Sequence, residues 1–286
     1  MMPPESHEDV LTNPITTSEN TTLKDDSIVT STTTTPSPPP RPDQDLPIHL
    51  DTTSLPATFL STWTANPDPT ALPFPRSSPP FPLTPIDWQQ LALPDSQFTP
   101  HTWSNLQHLI STGQLDELKR WPSRLKAYLA WYAHVKSLYG SITNYILSQR
   151  LGWHPSPEAE KEGRLVFDTQ GRTAPFADRR DFAILRNDWG YAVDPESILH
   201  VVVWSKIRLP IHATTGGLTD EGAGIVEAFV RREFRERVGE GEGREGERVL
   251  WFRNPTNLQS VRSLEHVHVL IRGVTEEEAE RWGWLG

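Results

Sequence analysis

The chain has no cysteine. That excludes disulfide staples and thiolate chemistry, and a reducing compartment is the simple inference. It has no excess of positive charge. Lys and Arg number 27 against 37 Asp and Glu, for a net charge of −10. No basic stripe overrides that balance, which argues against a general nucleic-acid binder. No apolar run reaches the length of a membrane span. The longest, His200-Val201-Val202-Val203-Trp204, is strand-sized. The first ten residues, MMPPESHEDV, lack the basic and apolar regions of a secretory signal, and their acidic residues speak against a transit peptide. The expectation is a soluble protein of the cytoplasm, or of cytoplasm and nucleus. No nucleic acid, membrane or cofactor is called for. Against only 2 Met stand 11 Trp, expected in the core or in pocket walls because large aromatics bury much area.

Residues 1–80 are rich in Thr, Ser, Pro and Asp and poor in large apolar residues. Such a segment buries too little apolar surface to offset its chain entropy, so it reads as a disordered tail. Pro36, Pro39 and Arg41 match the spacing of a polyproline ligand for an SH3-type groove, although proline-rich tails produce that spacing by chance. Thr35, Ser37 and Ser78 precede proline and are candidate phosphorylation sites. Residues 81–286 read as one globular α+β domain.

Within that domain Ile86–Leu91 forms a short helical turn. Thr99-Pro100 reads as an N-cap followed by a first-turn proline, for a helix through Trp103, Leu106 and Ile110 that stops at Gly113. Trp121-Pro122-Ser123 opens the longest helix, with apolar residues from Leu125 to Ile146 at three- and four-residue steps. Gly140 marks a kink or a close contact in it. Tyr128, Tyr132 and Tyr139 read as ordinary core packing. Residues 152–181 are irregular, with a short strand expected at Val166-Phe167. Strands follow at Phe182–Leu185 and His200–Lys206. The uniformly apolar Val201–Val203 suits a strand covered on both faces. Leu218–Arg237 is a helix, and GEGEGREGE at 239–247 a flexible charged loop. Val249–Phe252 and Leu264–Ile271 are strands about a polar turn. Thr275–Glu278 is a capping box that starts a last helix ending near Trp282-Gly283. Tight turns and one helix join the strands. The predicted fold is therefore N-terminal helices followed by a mostly antiparallel sheet with helices on one side.

The chemistry concentrates in Val249–Arg272. His266 and His268 are two apart in a strand, so they share a face while Val267 and Val269 share the other. Paired imidazoles can act as base, nucleophile or metal ligand near neutrality. The plain alternative is a half-exposed pair bonded to its neighbours. Asn187-Asp188-Trp189 follows a strand at a turn, where functional groups often sit, and an Asx-turn explains it equally well. Lys206 and Arg208 end the Val-rich strand, within reach of a phosphate or simply of solvent.

From about residue 85 onward the sequence resembles a fungal family named after N-acetylglucosamine-induced protein 1. The carrying segments are Arg124–Trp131 (RLKAYLAW), Tyr139-Gly140-Ser141, Ile184–Trp189 (ILRNDW), Val202–Lys206 (VVWSK), Trp251–Asn254 (WFRN), Ser260-Val261 and Glu265–Val269 (EHVHV). That resemblance implies a cytoplasmic fungal protein of the amino-sugar response, linked to UDP-N-acetylglucosamine supply, with no defined reaction. The C-terminal part also looks like the histidine-triad nucleotide hydrolases and transferases. In that mapping His200 leads a strand ending in Lys206, Asn254 follows the next strand, and Gln259-Ser260-Val261 is the turn feeding His266 and His268. The resemblance implies His266 as nucleophile at a nucleotidyl phosphorus, His268 and His200 positioning and charging the site, and Ser260 holding phosphate oxygens. Leu264 stands where a third alternating His belongs, and one extra residue separates Ser260 from His266.

Three hypotheses follow. One is an enzyme that binds a nucleotide or nucleotide-sugar and reacts at phosphorus, with His266, His268 and His200 catalytic. Asn254, Ser260, Gln259, Lys206, Asn187 and Asp188 would then bind the substrate. Another is a non-catalytic metabolite sensor or protein-interaction module. The third is a metal site of His266, His268 and either His200 or a carboxylate such as Asp188 or Glu265.

Overall fold

The computed structural model describes residues 72, 74–161, 164–194, 197–240 and 247–286. Most of the segment expected from sequence to be a disordered tail lies outside the described residues, including Thr35, Ser37 and the Pro36–Arg41 motif. So does most of the 239–247 loop.

Helices come first. α1 (Pro85–Leu91) starts at a capping box: Thr84 Oγ1 accepts the Asp87 N–H, and the Asp87 carboxylate accepts the Thr84 N–H. α2 (Trp103–Ser111) is capped by Thr102, whose hydroxyl accepts the Asn105 N–H. The expected Thr99-Pro100 cap lies ahead of the helix instead. His101, between the two, donates its N–H across the molecule to the Ala192 carbonyl at 2.8 Å, which holds this stretch out of the helical path. α3 (Pro122–Tyr139) has its proline in the first turn, as expected. The apolar repeat that continues to Ile146 is divided by Gly140. At φ 75° this residue ends α3, so it is a terminator and not a kink. Ser141 then caps α4 (Ile142–Tyr145), which widens into a π-helical turn at Ile146–Leu151. α5 (Pro157–Lys161) follows. Val166-Phe167 is loop and not strand. Phe167 is fixed by packing against the Trp153 ring, 5.6 Å between centroids, and not by sheet pairing.

The second half carries β1 (Phe182–Arg186), β2 (Ile198–Ser205), α6 (Asp220–Val230, extended by a π turn at Arg231–Arg235), β3 (Val249–Phe252), β4 (Glu265–Arg272) and α7 (Glu276–Arg281). The expected Thr275–Glu278 capping box starts α7. The four strands form one sheet in the order β1-β2-β4-β3, every neighbour antiparallel. The fold is α+β, as the element order predicts.

Alternation along β2 and β4 gives the sheet two different faces. On one, Ile184, Val201, Val203, Val267, Val269 and Ile271 pack against Val226, Phe229, Val230 and Phe234 of α6 and its extension. On the other, Leu185, Val202 and Trp204 pack against Leu125, Tyr128, Leu129 and Trp131 of α3. Helices therefore cover both faces, where the sequence suggested one. The Val201–Val203 run needs this, since its side chains alternate between the two layers. The opposite-facing neighbour of His266, Glu265, pairs with Arg253 at 2.6 Å, and both side chains are 2% exposed. Arg253 also donates to the Gly216 carbonyl at 2.8 Å, which ties the 206–218 segment to the β3–β4 connection. Among the described residues no helix is long and apolar enough to cross a membrane.

Candidate functional site

Strand register builds the site. Leu185, Val202, His268 and Phe252 form one row across the four strands, and Ala183, Trp204 and His266 the adjacent row. Both imidazoles thus stand on the α3-facing side of a central strand. Above them α3, α4 and the 186–191 turn enclose a cavity of about 150 Å³. Its lining includes His266, His268, Asn254, Ser260, Asn187 and Asp188, so six of the nine residues singled out in the sequence meet there.

The other three lie elsewhere. His200 is buried behind His268 and faces a second cavity on the far side of the 186–191 turn. Gln259 is turned inward and donates its side-chain amide to the Asn254 carbonyl at 2.9 Å, which braces the turn. Lys206 lies over the Trp153 ring at 5.2 Å and is not among the lining residues. The metal alternative loses its geometry. Glu265 is committed to Arg253 on the other face, Asp188 pairs with Arg150, and no group of three His, Asp or Glu converges to hold a metal among the described residues.

The histidines are held neutral. His266 is 5% exposed, and burial lowers its pKa from the ordinary value. Its Nδ1 lies 2.9 Å from the Leu264 carbonyl, which can only accept. Nδ1 therefore carries the proton and Nε2 keeps its lone pair. Burial drives His268 well below its usual pKa, with His200, His266 and Arg120 adding to the effect. His200 falls to about 3, through burial and then the Arg120 charge. His268 Nδ1 and His200 Nε2 are 3.1 Å apart. The Asn187 amide oxygen accepts the Trp189 N–H, so its NH2 faces His200, 3.2 Å from Nε2. The same amide lies 3.4 Å from His200 Nδ1, and in the His200–His268 contact one ring donates and the other accepts. The His266 tautomer is the one its contact fixes.

The walls are aromatic and cationic. Tyr128, Trp131, Tyr145, Trp189, Tyr191 and Trp204 surround the histidines. Tyr128, read from the sequence as plain core packing, lines the cavity, and it shares a hydrogen bond with Ser260. Arg120 donates from Nε to the Trp189 carbonyl at 2.9 Å, with its guanidinium 4.8 Å from the Tyr128 ring centre and 5.3 Å from that of Tyr191. Arg150, brought in by the π turn after α4, pairs with Asp188. Burial raises Asp188 to about 6, against the lowering effect of Arg150. Arg120 and Arg150 were missed in the sequence. Neither lies in a patterned motif, and an arginine ahead of a helix or in its last turn reads as surface charge.

Comparison with known proteins agrees with the resemblance to the N-acetylglucosamine-induced protein 1 family. The chain is 27% identical over 185 residues to N-acetylglucosamine-induced protein 1 of Candida albicans, covering 62% of this chain and 70% of that protein. It is 28% identical over 172 residues to the uncharacterized protein YPL067C of Saccharomyces cerevisiae, covering 59% of this chain and 77% of that one. A crystal structure of HTC1 is 25% identical, spans 63% of this chain and 91% of its own, and superposes with a TM-score of 0.47. The family model described as "Protein of unknown function (DUF3605)" matches residues 102–272, more than half of the chain, and the chain belongs to that family.

Proposed function

We propose that the cavity over His266 and His268 binds the phosphoryl end of a nucleotide or nucleotide-sugar, and that His266 reacts at its phosphorus. The observation that carries this reading is the His266 tautomer. Nδ1 is tied to the Leu264 carbonyl, burial keeps the ring neutral, and the lone pair is on Nε2 of a ring that lines the cavity. Attack at phosphorus requires such an aligned, neutral imidazole. Nε2 forms the P–N bond as the P–O bond to the leaving group breaks, and the leaving oxygen departs with the electron pair. Water or an acceptor hydroxyl then attacks the phosphoramidate and returns Nε2 to its free state. Asn254 and Ser260 at the lining, and Arg120 beside them, supply donors and charge for the equatorial oxygens. The aromatic walls suit a base or sugar ring. At about 150 Å³ the cavity is smaller than the ~300–1,000 Å³ of drug-sized pockets, so it fits the reacting end and not a whole nucleotide-sugar. The Candida albicans relative is named for induction by N-acetylglucosamine, which supports a place in the amino-sugar response.

The second reading is a non-catalytic sensor on the same fold. Leu264 in the place of a third histidine favours it, as does the position of His200 behind His268. One experiment separates the two. The full chain and His266→Gln are incubated with UDP-N-acetylglucosamine, UDP-glucose, adenosine phosphoramidate and dinucleoside polyphosphates. Products are followed by chromatography and the melting temperature by fluorescence. Turnover in the wild type that His266→Gln abolishes supports the phosphorus chemistry. A ligand that raises the melting temperature by mass action without turnover favours the sensor.

A further inference from the structure

The charges in the cavity wall do not balance, and the excess sits on one residue. Four side chains of full charge line it: Arg120, Arg150, Arg186 and Asp188. Arg150 pairs with Asp188, and Arg186 pairs with Glu276. The three histidines are neutral. Arg120 alone has no carboxylate. Its Nε is fixed on the Trp189 carbonyl and its plane is held by two tyrosine rings, while its terminal nitrogens meet no acceptor among the described residues. Two neighbouring imidazoles have their pKa lowered by its charge, so the field of Arg120 reaches the His268 side of the cavity. A guanidinium immobilised in this way, with its paired N–H groups unused, suits a bidentate oxyanion.

We propose that Arg120 is the anion anchor of this cavity, and that its ligand presents one phosphate group there, attached to an uncharged ring. The preferred class is a phosphate monoester, such as a sugar phosphate or a nucleoside monophosphate, over a nucleoside diphosphate or its sugar ester. This deepens the phosphorus reading and rests on it for the reaction, but the binding claim is testable alone. A second phosphate would meet no other cation without a carboxylate, only Arg150 and Arg186, which already pair with Asp188 and Glu276. It would face Asp188, or the aromatic rings.

The test is binding by calorimetry to the full chain, with inorganic phosphate, glucose 1-phosphate, uridine monophosphate, uridine and UDP-glucose as probes. In the wild type the monophosphates should bind, uridine should not, and UDP-glucose should bind no tighter than uridine monophosphate. UDP-glucose tenfold tighter than the monophosphate overturns the one-phosphate assignment. Arg120→Gln should weaken monophosphate binding by ~10–100-fold, the range for hydrogen bonds to a charged group. Arg120→Lys should recover part of that loss, because charge returns without the fork. Equal affinity in wild type and Arg120→Gln overturns the anchor. If Arg120→Gln fails to fold by circular dichroism, Arg120→Lys and the wild-type comparison decide. Phosphates that bind wild type and Arg120→Gln alike, with turnover lost in His266→Gln, sink the anchor and leave the phosphorus reading standing. Monophosphate binding that needs Arg120, with no turnover anywhere, does the reverse. No binding by any phosphate probe overturns both.

Discussion

The two faces of the sheet are made by the same strands and differ in everything else. Toward α6 the central strands present Val201, Val203, Val267, Val269 and Ile271, all at 1% exposure or less. Toward α3 they present His200, Trp204, His266 and His268, also buried. The first face needs no partners beyond close packing. The second buries ring nitrogens, and it ties His266 Nδ1 to the Leu264 carbonyl and His200 to Asn187 and His268, while His266 Nε2 is left to the cavity. Burying polar groups in this way yields little net stability. The tight packing lies on one face, and the cavity and its buried polar groups lie on the other.

The sharpest break of that division is on the α6 side. Phe234 is fully buried, its ring 4.8 Å from Trp284 and 5.9 Å from Phe229. Phe234→Ala should cost ~3–5 kcal/mol in urea unfolding, from lost transfer energy and the void left behind. A cost below 1 kcal/mol would mean the packed face is not where stability resides.

The next effect is a pH dependence specific to the polar face. Unfolded histidine titrates at about 6.5. His200 titrates at about 3 in the fold, and His266 and His268 are also lowered. Between those values the unfolded chain binds more protons, so their contribution is complete above pH 6.5 and is lost as pH falls toward each folded value. Each histidine removes up to ~1.4 kcal/mol per pH unit. Asp188 acts in the opposite sense. Its folded pKa of about 6 lies above the unfolded carboxyl value, so the fold regains some stability as pH drops below 6. Unfolding measured at pH 7.5, 6.5, 5.5 and 5.0 should show a steep loss that becomes shallower below 6. His101 and His134 are also lowered, so assignment needs a variant. The double change His200→Leu with His268→Leu should flatten the profile. At pH 7.5 it should leave stability within ~1 kcal/mol of wild type, since both partners of the His–His hydrogen bond go together and the half-buried Asn187 amide can turn to water. A large loss at pH 7.5 would assign the histidine pair to the fold and not to the site.

Much of this contrast could be read from residue order. Period-two alternation placed His266 and His268 on one face and Val267 and Val269 on the other, and the register confirms it. The capping box at Thr275 and the helix opening at Pro122 are local chemistry, and both are where the sequence puts them. The errors came where a tertiary contact overrides a local signal. The His101 N–H bonded to Ala192 displaces the α2 cap from Thr99 to Thr102. Gly140 ends a helix whose apolar repeat runs on past it. For the cavity, the strand residues were legible and the roof was not. Tyr128, Arg120 and Arg150 come from helices and connections far from β4 in sequence, and no spacing rule links an arginine at 120 to a histidine at 268.

Lys206 gives the smallest expected effect and the most direct check on position. Sequence alone places it at the end of the strand that His200 begins, as a candidate phosphate ligand. In the fold its ammonium lies 5.2 Å from the centre of the Trp153 ring, outside the cavity that His266 and His268 share. A cation over a ring outside the dry core contributes ~0.5–1 kcal/mol, and both Lys206 and Trp153 are half-buried. Lys206→Ala should therefore shift stability by no more than that and leave phosphate affinity unchanged, while Arg120→Gln loses it. Should Lys206→Ala weaken binding as much as the Arg120 change, the cation that receives the anion lies at the end of β2. The polar face would then extend beyond the two histidine rows, toward Trp153 and away from Arg120.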